Sequence, residues 1–231
     1  MNDIKTPAGI ERESMRIIDA ELSGRGIALS PDRAAIVKRV IHATADFDYA
    51  ETLRFTPDAP SIGETVVRGG VIVTDTNMAL SGISKPALRR LRASALCLMA
   101  QERIALEARE RRVTRATVCM ERALERIPNA ILAIGNAPTA ALRVAELIET
   151  GARPAFVIGV PVGFVNVVES KERIWEACGR FEIPAIVAMG RKGGSAVAAA
   201  ICNALLYAAA DMSDPRKREA ETQSERETPS R

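Results

Sequence analysis

The chain has one histidine, one tryptophan and four cysteines in 231 residues, and aromatics make up only 3%. Each scarcity excludes something. With His42 as the sole imidazole and no cysteine near it, a metal site of the usual His and Cys ligands is not expected. Asp46 and Asp48 follow His42, but no Ser–His–Asp order or spacing is present, so nucleophilic catalysis is not suggested. Few aromatics argue against base-stacking platforms. A net charge of +3, without a clustered basic face, is too small to imply nucleic acid. Cys97, Cys119, Cys178 and Cys202 form no C-x-x-C motif, which predicts buried free thiols in a reducing compartment. The longest apolar run, Ala196 to Ala210, is interrupted by Asn203 and falls short of the ~20 residues that cross a bilayer. The opening "MNDIKTPAGIERES" lacks the apolar core of a secretion signal. A cytoplasmic protein without a membrane partner is therefore expected.

What is present is ordinary globular chemistry, 47% hydrophobic and 26% charged residues. Nearly continuous apolar runs predict strands in "GVIVTDT" (70–76), "AILAIGN" (130–136), "PAFVIGV" (154–160) and "IPAIVAMG" (183–190). Strands of this kind are buried on both faces, as in a parallel sheet covered by helices. "ALCLM" (95–99) and "FDYAETLRF" (47–55) are weaker candidates. Ser30-Pro31 opens a helix to about Thr44. Pro138 opens another, closed by Gly151. Gln101 to Arg126 reads as helix broken near Val113-Thr114, and Ser195 as the cap of a last helix to about Asp211. Alternating elements imply an α/β fold with right-handed crossovers. One domain over residues 1–212 is expected, and residues 213–231, "SDPRKREAETQSERETPSR", have no apolar face and read as a disordered charged tail.

Ligands of open α/β sheets bind beyond the carboxyl ends of the strands. Here those ends carry Asp75 and Asn77, then Gly135-Asn136, then the loop Gly190-Arg191-Lys192-Gly193-Gly194-Ser195. Adjacent glycines, a helix N-terminus and two cations suit a phosphate or carboxylate; a tight strand–helix turn explains the same residues equally well. The loop does not match G-x-x-x-x-G-K-[ST], and no G-x-G-x-x-G opens a strand–helix turn. On the helix after Pro31, Ile36, Val37, Val40 and Ile41 form one stripe, and at ~100° per residue His42 lies nearly opposite it, beside Lys38 and Arg39. It faces solvent, a cleft or another subunit. Ser14, between Ile10 and Ile17, reads as lying beside a buried stripe, with its hydroxyl bonded back to its own helix or presented to a ligand.

Six segments in order, "RESMRIID", "VIHATADFDYAETLRF", "TDTNMALSGI", "AIGNAPTAALR", "VIGVPVGFVNVVESKE" and "GRKGGSAVAAAICNAL", resemble the precorrin-8X (cobalt-precorrin-8) methylmutase family from about Ile10 to about Ala208. The resemblance implies a flavodoxin-like three-layer α/β sandwich with a mainly parallel central sheet. It implies an isomerase of cobalamin biosynthesis that moves a methyl group from C-11 to C-12 of a tetrapyrrole, without cofactor or metal catalyst. It also implies a homodimer with substrate near the interface. By motif, the family's catalytic histidine falls on His42, and a pocket serine and arginine fall on Ser14 and Arg115. The substrate's many carboxylates suit Arg115, Arg191 and Lys192 through charge-assisted hydrogen bonds. Asp75, Asn77, Asn136, Gly193, Gly194 and Ser195 complete the expected substrate-binding set. Three rival readings remain: a phosphate- or nucleotide-binding α/β protein using "GRKGGS", a non-catalytic tetrapyrrole carrier, and a flavodoxin-like interaction module without a ligand.

Overall fold

The apolar runs become the middle of one sheet. The computed structural model describes residues 5–227, with side chains described to residue 221. Strands β1 (Leu53–Phe55), β2 (Val71–Thr74), β3 (Ser94–Leu96), β4 (Ile131–Ile134), β5 (Phe156–Gly159) and β6 (Ala185–Ala188) lie in the order β1-β6-β5-β4-β2-β3. Every pair is parallel except β1 with β6. The five parallel strands, β3-β2-β4-β5-β6, have the doubly wound flavodoxin-like order, whose switch point lies between β2 and β4. Every residue of β4, β5 and β6 is buried, as strands covered on both faces require.

Twelve helices are described. On one face lie α1 (Pro7–Gly24), α2 (Pro31–Thr44), α4 (Ala59–Val66), α5 (Asn77–Gly82), α6 (Lys85–Arg90) and α11 (Ser195–Ala209), sharing a core centred on Val40, Phe156, Ile186 and Ile201. The other face carries α7 (Glu102–Arg111), α8 (Arg115–Arg126), α9 (Pro138–Glu149) and α10 (Val167–Arg180), packed around Leu132, Val144 and Ile174. Short α3 (Tyr49–Thr52) leads into β1. Arg112, in the left-handed region at φ 54°, ends α7, and the Thr114 side chain accepts from the Thr117 N–H to start α8, so the break falls where it was expected.

Several details differ from the sequence expectations, among them Tyr49–Thr52, helical within the weaker strand candidate 47–55. Gly194, at φ 129°, caps α11, and Ser195 is the first helical residue. α1 packs through Met15, Ile18 and Leu22, which leaves Ile10 and Ile17, flanking Ser14, 52% and 45% exposed rather than buried. Within the charged tail expected to be disordered, Pro215–Glu227 forms α12, held to the body by Arg218–Glu11 and Arg90–Glu221 ion pairs, while 228–231 lie outside the described residues. Cys119, Cys178 and Cys202 are buried free thiols, but Cys97 is only partly buried. A hydrogen bond from Cys119 pushes the Cys97 thiol down to about 6. No helix among the described residues is long and apolar enough to cross a membrane.

Candidate active site

At the carboxyl ends of the strands, the expected residues divide into those that build the rim and those that face outward. Asp75 builds it. It leaves β2 with no exposed surface, and its two oxygens accept from the N–H groups of Gly135, Asn136 and Ala137, each at 2.8 Å. These are the donors at the switch point and at the start of α9, where an anion would otherwise sit. Burial pushes the Asp75 carboxyl above its ordinary range, and the three N–H groups oppose that rise. Asp75 therefore fixes the turn from within, while Asn77 and Asn136 are exposed above it.

The Gly190–Ser195 loop is held in a similar way. A Cβ on Gly193 would lie 2.3 Å from the Val160 carbonyl oxygen and 2.5 Å from that of Pro161, so only glycine fits. The Gly194 N–H donates to the Val160 carbonyl at 2.9 Å. The two glycines thus serve first to seat this loop on the one after β5. Ser195 is buried and shares a 2.8 Å hydrogen bond with Thr76, which joins the starts of α11 and α5. Lys171 of α10, fully buried, donates to the carbonyls of Gly190 at 2.8 Å and Lys192 at 2.6 Å. Desolvation pushes its ammonium down to about 8, so it still carries its proton at neutral pH. Lys171→Met leaves both carbonyls without this donor and should lower the unfolding free energy by about 1–3 kcal/mol. An unchanged urea midpoint would show that the two bonds hold nothing.

The end of α2, where His42 lies, is tied to the same loop. His42 is in the last turn of α2, exposed, while Ile36, Val37, Val40 and Ile41 are buried against the core. Four and six residues further on, Asp46 and Asp48 clasp the Lys192 ammonium at 2.7 and 2.6 Å. That clasp joins the end of α2 to the glycine loop and holds the Asp46 carboxyl below its usual range. It also neutralises Lys192. Arg191 and Arg115 are exposed and, among the described residues, have no acidic partner. Partial burial and the nearby Arg39 guanidinium hold the His42 imidazole below its ordinary value, although Glu11 opposes the shift.

Not all expected partners meet. The Ser14 hydroxyl donates to the Ile10 carbonyl at 2.9 Å, so its proton is engaged within α1. Arg115 begins α8 on the opposite face of the sheet from His42. A 2.7 Å contact between Thr114 and Thr139 sets Arg115 beside the start of α9, at the carboxyl-end rim. A cleft of about 630 Å³ lies between α1, α2 and α11. Its charges largely satisfy each other, with Arg39 on Glu11 at 2.6 Å and Lys38 on Asp19 at 3.0 Å, which makes it a poor receptor for a polycarboxylate. Among the described residues, no three His, Cys, Asp or Glu side chains converge as metal ligands. Lys171 and the apolar loop around Phe164 were absent from the expected set. A lysine inside the stripe Val167, Ser170, Ile174, Ala177 was the available signal for the first.

Known proteins resemble this chain along most of its length. The family model for precorrin-8X methylmutase matches residues 9–208. The cobalt-precorrin-8 methylmutase of Salmonella typhimurium is 41% identical over 212 residues, covering 90% of this chain and 98% of that protein. The precorrin-8X methylmutase of Pseudomonas aeruginosa is 36% identical, covering 87% and 96%. The crystal structure of the Thermus thermophilus precorrin-8X methylmutase superposes with a TM-score of 0.78 at 39% identity, covering 87% and 98%. A family model spanning nearly all of the globular part, relatives matched along almost their whole length, and a shared sheet topology place this chain in the precorrin-8X methylmutase family.

Proposed function

We propose that the carboxyl-end rim holds the tetrapyrrole and that His42 is the acid of the reaction. The chain is a methylmutase of cobalamin biosynthesis, an isomerase that moves a methyl group from C-11 to C-12 of the macrocycle. Such a shift breaks one carbon–carbon bond and forms another within the same molecule. It needs no nucleophile. It needs the ring held in one orientation and its electrons biased by a proton. His42 supplies the proton. Arg191 and Arg115 take peripheral carboxylates, Asn77 and Asn136 supply amide donors, and Ser14 orients a ring substituent through its lone pairs. Lys192, Gly193, Gly194 and Ser195 form the wall on which Arg191 stands. The observation that carries this reading is the position of the one histidine: off its helix's buried stripe, and joined through the Asp46 and Asp48 clasp to the loop that presents Arg191.

The reading includes a homodimer with the site near the interface. Two features support it. Arg115 and His42 stand on opposite faces of the sheet, so a second copy could complete what one chain separates. Exposed Ile10 and Ile17, on either side of Ser14, give α1 an apolar outer face. Sedimentation should show a dimer that Ile10→Glu with Ile17→Glu dissociates; a monomer in the wild type would remove this part of the reading.

The depressed imidazole gives a pH test. In the free enzyme His42 loses its proton below the usual value of 6.5, so kcat/KM should fall as pH rises through that lower pKa. Bound carboxylates favour imidazolium, so the corresponding fall in kcat should lie at higher pH. Stopped-flow absorption from about pH 5 to 8.5 measures both limbs. A kcat that is flat across this range rejects the acid role.

A further inference from the structure

Three apolar side chains at this rim are left in water by the fold. In the loop from β5 to α10, Phe164 is 84% exposed, Val165 77% and Val162 41%. The loop that carries them is pinned rather than loose. The Gly163 N–H donates to the Arg191 carbonyl at 3.4 Å, and Gly194 donates to Val160 at 2.9 Å. Gly193 sits against the Val160 and Pro161 carbonyls, and Lys171 ties the far side of the glycine loop from beneath. Two loops are thus stitched into one platform with its apolar side outward. The Arg191 guanidinium lies 5.7 Å over the Phe164 ring, a cation–π distance that sets a positive charge at the platform's edge.

An apolar patch bordered by cations fits few ligands. A charged metabolite finds no use for the phenyl face, and a purely apolar one finds no use for Arg191. A broad, flat, conjugated ring with carboxylates around its edge uses both, because aromatic faces stack while the rim charges pair. We propose that Phe164 and Val165 seat one face of the macrocycle and that Arg191 holds a carboxylate of the same ring. The proposal rests on the carboxyl-end reading of the site and adds to it the residues that bear the ring itself.

The test titrates the full chain with the product corrinoid, hydrogenobyrinate, by absorption, and follows turnover of precorrin-8X. Phe164→Ala should weaken product binding and raise KM about tenfold, with most of the effect in KM rather than kcat. Phe164→Leu should recover part of the affinity. Arg191→Ala should weaken binding and flatten its salt dependence. Because Phe164 is exposed, its variants should keep the wild-type unfolding midpoint. Unchanged product affinity in Phe164→Ala overturns the proposal, and so does a variant that binds product normally but sediments as monomer, which would make the platform a subunit contact. A wild-type chain that neither binds nor converts any corrinoid would instead overturn the reading of the site.

Discussion

Asp75→Ala should cost the protein about 3 kcal/mol or more of unfolding free energy, the largest stability loss expected from any one side chain at the rim. Three backbone N–H groups, of Gly135, Asn136 and Ala137, would lose their acceptor in a region with no exposed surface at position 75. Each orphaned buried donor costs about 1–3 kcal/mol, and relief of the buried carboxylate's own desolvation offsets part of the sum. Asp75→Asn should fall in between. One oxygen already serves both Asn136 and Ala137, and an amide oxygen can take over there. The amide nitrogen would then face the Gly135 N–H, donor against donor. A domain of this kind has about 5–15 kcal/mol in all, so the alanine variant should be marginal and the asparagine variant merely weakened. Urea unfolding of the three proteins checks the order. An alanine variant with the wild-type midpoint, or one no weaker than the asparagine variant, would contradict the clasp.

Asp75 also shows where sequence reading stops. An acid at the end of an apolar strand reads as a ligand, because the donors that bury it lie sixty residues later. The glycine loop misleads in a related way. Gly193 and Gly194 suggest an anion cradle, but their immediate task is close approach to the Val160 and Pro161 carbonyls, a contact between two loops that neither segment announces alone. α10 escaped detection because Ser170 and Lys171 occupy positions inside its buried face and interrupt the apolar stripe from Val167 to Cys178. By contrast β2, β4, β5 and β6 were legible, since strands covered on both faces are nearly continuous apolar runs. The off-stripe direction of His42 was legible too, being a local consequence of helix geometry. Its neighbourhood was not, because the Asp46 and Asp48 clasp that ties the end of α2 to Lys192 joins positions about 145 residues apart in sequence.

The second large effect belongs to His42. If the imidazole delivers the proton that biases the ring, His42→Ala removes a general-acid contribution worth about 10²–10⁴-fold in kcat. Binding should survive, because Arg191, Arg115 and the apolar platform are untouched. Stability should survive as well: the side chain is exposed, and among the described residues it makes no hydrogen bond that its loss would break. The variant thus separates chemistry from architecture, which variants of Asp75 or Lys171 cannot do.

The most direct measurement is a single turnover. Excess enzyme is mixed with precorrin-8X, and in parallel with its cobalt form, and the absorption spectrum is followed in time for wild type and His42→Ala. The wild type should show a spectral conversion with at least one of the two substrates. The variant should show an immediate binding change followed by conversion slowed about 10²–10⁴-fold. Conversion by His42→Ala at the wild-type rate would exclude His42 as the acid.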